Sequence, residues 1–299
     1  MNKLTINACP ICGSTHLKHT MTCTDFYASG ERFELFTCED CGFTFTQGVP
    51  VEAEIGRYYE TPEYISHTDT RKGAMNTVYH YVRSYMLGCK ARLVAKEAHR
   101  TSGRLLDIGT GTGYFANAMH LRGWKVEAVE KSPQARAFAR EHFGLEVKPD
   151  SALNEFAPAS FHVITLWHVM EHLEHLNEVW EKLNELLKET GILIVAVPNC
   201  SSYDAERYGE YWAAYDVPRH LWHFTPATIQ KLASEHGFIM ADRHPMPFDA
   251  FYVSMLSEKN KGASNSFLKG MYAGTLAWFS ALARKERSSS MIYVFRKKR

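Results

Sequence analysis

Leu105–Phe115 reads LLDIGTGTGYF: a short apolar run closed by an acid, then glycine at every second position before an aromatic pair. The apolar run has the length and character of a buried strand. Glycine tolerates positive φ and lets backbone approach a ligand closely, so a strand, a glycine turn and a following helix make a phosphate- or nucleoside-binding turn. The dinucleotide fingerprint G-x-G-x-x-G requires glycine at position 114, where this chain has Tyr114.

Outward from that turn, short apolar strands alternate with helical segments. RLLDI, WKVEAVE, LEVKP, FHVITLW and ILIVAVPN read as strands. Ser132 and Pro133 open one helix and Gly144 closes it; Leu176, Val179, Trp180, Leu183, Leu186 and Leu187 fall at helical spacing in another. Thr225 and Pro226 start a helix that Gly237 ends, and MIYVFRKK suits a last strand returning to the sheet. The pattern predicts a doubly wound α/β fold, Rossmann-like, with a mostly parallel seven-stranded sheet. The expected domains are residues 1–48, a connector with a docking helix over 49–100, and the α/β domain over 101–299. A helical insertion is expected at about 249–284, before the last strand.

The chain has 299 residues, 45% of them hydrophobic, enough for a full core. Lys and Arg number 34 against 33 Asp and Glu, so no global basic field argues for nucleic acid or an anionic surface. No apolar run reaches the roughly 18 residues of a spanning helix, and MNKLTINACP lacks the core of a secretory signal, so a cytoplasmic location is expected. Of seven cysteines, Cys9, Cys12, Cys38 and Cys41 form two C-x2-C turns, CPICG and CEDCG. Four soft thiolates at that spacing predict a tetrahedral structural Zn2+ in a strand-rich ribbon over residues 1–48.

The order of elements and the alternation D-x-G-x-G-x-G resemble class I S-adenosylmethionine-dependent methyltransferases from about Gly103 to His244, broadly those acting on quinones (O-methyltransferases) and bacterial sugars (C-methyltransferases). The resemblance implies methyl transfer from S-adenosylmethionine to a small-molecule acceptor. In this reading Asp107, Gly109, Thr110, Gly111 and Gly113 hold the methionyl end and the loop. Glu130, with Lys131 beside it, takes the ribose hydroxyls; Asp150 and Ser151 meet the adenine edge, and Leu166 and Trp167 line the reacting centre.

Beyond FHVITLW, the stretch HVMEH places His168, Glu171 and His172 at i, i+3 and i+4. Alone this is the H-x-x-E-H signature of a zinc hydrolase, the rival reading. In quinone O-methyltransferases a Glu, Glu, His set at this spacing binds a divalent metal, so a second metal at His168, Glu171 and His172 stays open. His168 is the first general-base candidate. The long stretch 199–224 is rich in aromatics and ends in DVPRHLWHF. Long connections usually carry function. It is expected to cover the acceptor, with Trp212 and Tyr215 as walls, Arg219 clamping an acid and His220 and His223 moving protons; Tyr252 in the insertion joins them. The insertion caps a pocket, forms a dimer face or rests on a membrane surface. Two further readings are kept, a nucleotide-dependent oxidoreductase and a zinc-ribbon binding protein without catalysis; RNA is a minor acceptor class.

Overall fold

The computed structural model describes residues 3–51, 53–59 and 74–298; much of the expected connector, residues 60–73, lies outside them. Strands are numbered in chain order: β1 (Lys3–Leu4), β2 (Leu17–Thr24), β3 (Arg32–Cys38), β4 (Thr44–Gln47), β5 (Val49–Pro50), β6 (Gly103–Ile108), β7 (Trp124–Val129), β8 (Val147–Lys148), β9 (Phe161–Trp167), β10 (Leu187–Pro198), β11 (Trp222–His223), β12 (Phe238–Pro245) and β13 (Ser290–Lys297). The described helices are α1 (Ala74–Ala98), α2 (Tyr114–His120), α3 (Pro133–Phe143), α4 (Leu176–Leu186), α5 (Tyr203–Tyr208), α6 (Pro226–Glu235), α7 (Asp249–Asn260) and α8 (Ser266–Ala283).

The central sheet has seven strands in the order β12-β13-β10-β9-β6-β7-β8. β10, β9, β6, β7 and β8 run parallel, and β13 slots antiparallel between β10 and β12. This is the doubly wound, mostly parallel sheet that the strand–helix alternation predicts. Residues 192–197 of β10 are all buried because helices cover both faces. Trp180 of α4 packs edge-on against Phe238 and Phe295, fastening that helix to one edge of the sheet. α3 starts as expected, with the Ser132 hydroxyl accepting from the Ala135 amide and Pro133 at the first turn.

The N-terminal strands form a second sheet, ordered β11-β4-β3-β2. Its last strand comes from DVPRHLWHF: Trp222 pairs with Phe45 and His223 with Thr44. The Thr46 amide donates to the Leu221 carbonyl (2.9 Å) and its hydroxyl to the His220 carbonyl (2.8 Å). Between the two sheets, Arg219 is 1% exposed. It donates Nε and Nη2 to the Asp216 carboxylate (3.0 and 2.6 Å), Nη2 also to Asp25 (3.0 Å), and Nη1 to the Tyr58 carbonyl (3.0 Å). Burial pushes both carboxyls up, but the guanidinium outweighs it at Asp25, and His220 with Arg219 outweighs it at Asp216, so both lie below the usual carboxylate range.

Removing one partner from such a buried pair leaves uncompensated charge, which costs about 3–5 kcal/mol. Arg219→Ala is therefore expected to lower unfolding free energy in urea by that amount; a loss below about 1 kcal/mol, the worth of an exposed pair, would mean that Arg219 does not hold the two sheets together.

Candidate active site

The glycine turn follows β6, at the carboxyl end of the sheet where open α/β folds take ligands. Gly109, Gly111 and Gly113 have φ of 66°, 55° and 82°. A Cβ on Gly109 would lie 2.4 Å from the Val169 side chain, so no larger residue fits between the turn and the segment after β9. At Gly111 no heavy atom stands within 4 Å of the same point, which leaves the concave side of the turn open. The Gly109 and Thr110 amides both donate to the Val129 carbonyl (2.9 and 3.1 Å), binding the turn to the end of β7.

Glu130 stands at that end. Its carboxylate accepts from the Gly111 amide (2.9 Å) and the Ser132 amide (2.9 Å), one on each oxygen. The acid is thus aimed at the glycine turn, and each oxygen keeps a further lone pair for a ligand hydroxyl. Asp107 is buried and accepts from Thr165 Oγ1 at 2.7 Å. Burial pushes its carboxyl up to about 6, against the pull of the Thr110 and Thr165 hydroxyls and of Lys90. Lys131, Asp150 and Ser151 are exposed, with Asp150 Oδ1 accepting from the Ser151 amide (3.0 Å). Leu166 lies the other way from its expected place: strand alternation turns its side chain into the core, fully buried, and leaves Trp167 to face the ligand side.

Two residues that sequence reasoning passed over meet Trp167 and His168. Lys90, from α1, sits with Nζ 4.3 Å over the Trp167 ring, and burial disfavours its ammonium. Asp249 opens α7 and approaches His168 Nε2 at 3.5 Å, while Glu171 approaches Nδ1 at 3.5 Å. Their signal was absent from the sequence because α1 and α7 lie far along the chain from β9. Burial favours neutral His168, but contacts with Asp249 and Glu171 outweigh it and raise the imidazole to about 9. The two carboxylates thus favour the protonated imidazole, which weighs against the general-base role expected for His168.

The H-x-x-E-H stretch is not on an α-helix. Met170–His172 form a single 3-10 turn. His168 faces Asp249, whereas the His172 ring lies against His220, with centroids 4.5 Å apart. In this cluster the residues at ligand-like spacing are Glu171, His172 and His220, all within 4.8 Å, so the expected set with His168 is not assembled. His172 Nδ1 lies 3.0 Å from the Arg219 carbonyl, and burial with the nearby His220 lowers its ring to about 4. Glu171 is fully buried, and against the cost of burial its contact with His168 leads in keeping its carboxyl below the usual range.

The expected acceptor walls turn inward. Trp212 is buried and donates to Asp204 (2.8 Å), and Tyr215 packs edge-on against both Trp212 and His223. His223 Nε2 meets Thr46 Oγ1 (2.9 Å), and burial holds its ring down to about 3. His220 Nδ1 bonds the Ala214 carbonyl (2.9 Å), and Arg219 is spent on Asp25 and Asp216. Arg219, His220 and His223 hold the seam with the N-terminal sheet, Trp212 and Tyr215 pack beside it, and all five are buried. Tyr252 alone of the expected set is exposed, on α7.

At the far side of the ribbon, Cys9, Cys12, Cys38 and Cys41 gather with their sulfur atoms within 4.8 Å of one another. The Cys9–Cys41 and Cys12–Cys38 sulfurs are each 3.5 Å apart. Gly13 and Gly42 carry the positive φ that follows each knuckle (71° and 75°). Backbone amides of Cys41 and Asp40 favour the Cys38 thiolate, whereas burial pushes the Cys9 and Cys41 thiols up. The four donors fit Zn2+.

A doubly wound sheet with an open glycine turn and an acid at the neighbouring strand's tip is an arrangement in which open α/β domains take nucleoside ligands. A methyltransferase-domain family model matches residues 79–241, more than half of the chain, and the protein belongs to that family. The mitochondrial ubiquinone biosynthesis O-methyltransferase of Schizosaccharomyces pombe is 31% identical over 112 residues, covering 34% of this chain and 41% of that protein, less than half its length. The ubiquinone biosynthesis O-methyltransferase of Paraburkholderia phymatum is 26% identical over 166 residues, 51% of this chain and 72% of that one. In fold, the chain is similar to geranyl diphosphate C-methyltransferase from Streptomyces coelicolor A3(2), with a TM-score of 0.50, 13% identity and coverage of 80% of this chain and 86% of that one.

The raised imidazole gives a signed expectation. A proton held more tightly in the folded state stabilises it fully below the ordinary value of 6.5, and that contribution is lost as pH rises through about 9. NMR titration should find His168 with a midpoint near 9, falling toward the ordinary range in Asp249→Asn; a wild-type midpoint near 6.5 would contradict the two-carboxylate clamp.

Proposed function

We propose that this protein transfers a methyl group from S-adenosylmethionine to a small-molecule acceptor. Family membership supports the reaction class, and the aim of Glu130 at the glycine turn is the observation that carries the choice of donor. Asp107, the turn and Glu130 would hold the donor, which supplies an electrophilic methyl group on a sulfonium. The site's task is then to align an acceptor and remove a proton, with little covalent chemistry of its own.

We assign that task to the cluster after β9. His168, held between Asp249 and Glu171, lines the acceptor side and lends it positive charge. Lys90 takes the acceptor proton: burial already disfavours its ammonium, and a cationic donor nearby disfavours it further. The relatives' names support a quinone-like ring oxygen as the first acceptor to assay, ahead of sugars and other metabolites. A structural Zn2+ on the four cysteines would brace the ribbon, whose edge carries the seam. The zinc-hydrolase reading loses its footing, since His168 and His172 point to different partners.

Replacing Glu130 by Ala removes charge-assisted hydrogen bonds worth about 1.5–3 kcal/mol each, a tenfold or greater loss. Calorimetry should find S-adenosylhomocysteine affinity reduced at least that much, with thermal unfolding kept near wild type; unchanged affinity in a folded variant would refute the assignment. For Lys90→Met, donor affinity should persist while kcat drops about 100-fold, the smaller end of general-base contributions, and a wild-type kcat would remove Lys90 from the mechanism.

A further inference from the structure

The helix α8, SFLKGMYAGTLAWFSALA, is amphipathic in the reverse sense. Gly270, Ala273, Gly274, Ala277 and Ala281 are its buried residues. They let α7 approach closely: a Cβ on Gly270 would lie 2.5 Å from the Met255 Cα, and one on Gly274 2.8 Å from the Phe251 Cα. The large side chains point the other way. Leu268, Tyr272, Phe279 and Leu282 are 57–64% exposed, and Met271 joins them on one stripe at helical spacing. Small residues between helices and large apolar ones outside is the arrangement of helices solvated by lipid.

The charges nearest this stripe are basic but for Glu258, which lines one hollow with Leu268, Lys269 and Tyr272. From Lys259 to Lys285 the chain carries Lys259, Lys261, Lys269, Arg284 and Lys285 and no acid. The acids of neighbouring elements are engaged elsewhere. Glu258 accepts from the Tyr208 hydroxyl (3.0 Å), Glu286 pairs with Arg243, and Glu206 pairs with Arg287. We propose that the exposed face of α8 docks on an anionic lipid bilayer, lying in its interface with the aromatic and leucine side chains buried and the basic rim on the headgroups. α8 spans 18 residues with Lys269 inside it, and no described helix is long and apolar enough to cross a membrane. A second copy of this chain is a poorer occupant, because a two-fold interface sets the same patch against itself and would bring the largely basic rims together.

The docking face also has a bearing on the site. Gly270 meets Met255 and Gly274 meets Phe251, so α7 and α8 run antiparallel. Phe279 and Leu282 therefore lie toward the end of the hairpin where exposed Phe248 precedes Asp249, the partner of His168. An acceptor carried in the bilayer would reach the cluster after β9 from that end. This consequence rests on the methyl-transfer reading, whereas docking does not, and an assay without donor or acceptor keeps the two failures apart.

The test is flotation of the full chain with phosphatidylcholine vesicles, with and without phosphatidylglycerol. Wild type should float with the anionic vesicles and less so in high salt. Leu268→Asp/Phe279→Asp should stay at the bottom, and Lys269→Glu should lower partitioning roughly fivefold or more, given the energy of one basic residue near an anionic surface. All three residues are exposed, and matching circular dichroism and melting curves verify folding. The proposal is overturned by absence of vesicle binding, by binding that the variants leave unchanged, or by a wild-type dimer that the same variants split.

Discussion

A single guanidinium buried between two sheets sets the geometry on which the rest of this structure depends. Arg219 answers Asp25 and Asp216 and the carbonyl of Tyr58, and its own carbonyl faces His172. The same segment donates the Leu221 amide to the Glu171 carbonyl (2.8 Å) and then feeds Trp222 and His223 as an edge strand to the N-terminal sheet. The turn that displays His168 is therefore held from behind by the ribbon. The ribbon thus braces the candidate site by fixing its backbone.

The division of labour at the sheet's carboxyl end follows from burial and charge. The donor half is made of backbone: a turn that only glycine fits at its contact with Val169, and an acid whose two oxygens hold that turn to the next one. The half proposed for the acceptor gathers ionisable side chains, with His168 between two carboxylates and Lys90 over Trp167. A rigid donor seat and a polar acceptor wall suit a displacement that needs alignment more than covalent help.

What was legible in the sequence follows the range of the forces involved. Positive φ at Gly109, Gly111 and Gly113 leaves a mark in the residues themselves, as do the cap at Ser132 and the two cysteine knuckles, so sheet, turn and ribbon could be read locally. The roles of DVPRHLWHF could not. Arginine, histidine and aromatics serve an acceptor lid and a buried seam equally well, and their partners, Asp25, Thr46 and Tyr58, lie more than 150 residues away. Lys90 and Asp249 were hidden for the same reason. For α8 the periodicity was plain, but which side faces inward depends on α7, and only the packing of Gly270 and Gly274 reveals it.

The claim at the centre is that the turn after β6 seats a sulfonium nucleoside. Isothermal titration of the intact chain with S-adenosylhomocysteine, and separately with NAD and NADP, addresses it directly. One-to-one binding of the first and no heat from the dinucleotides is the predicted result. Saturable binding of a dinucleotide, with none of S-adenosylhomocysteine, would contradict it.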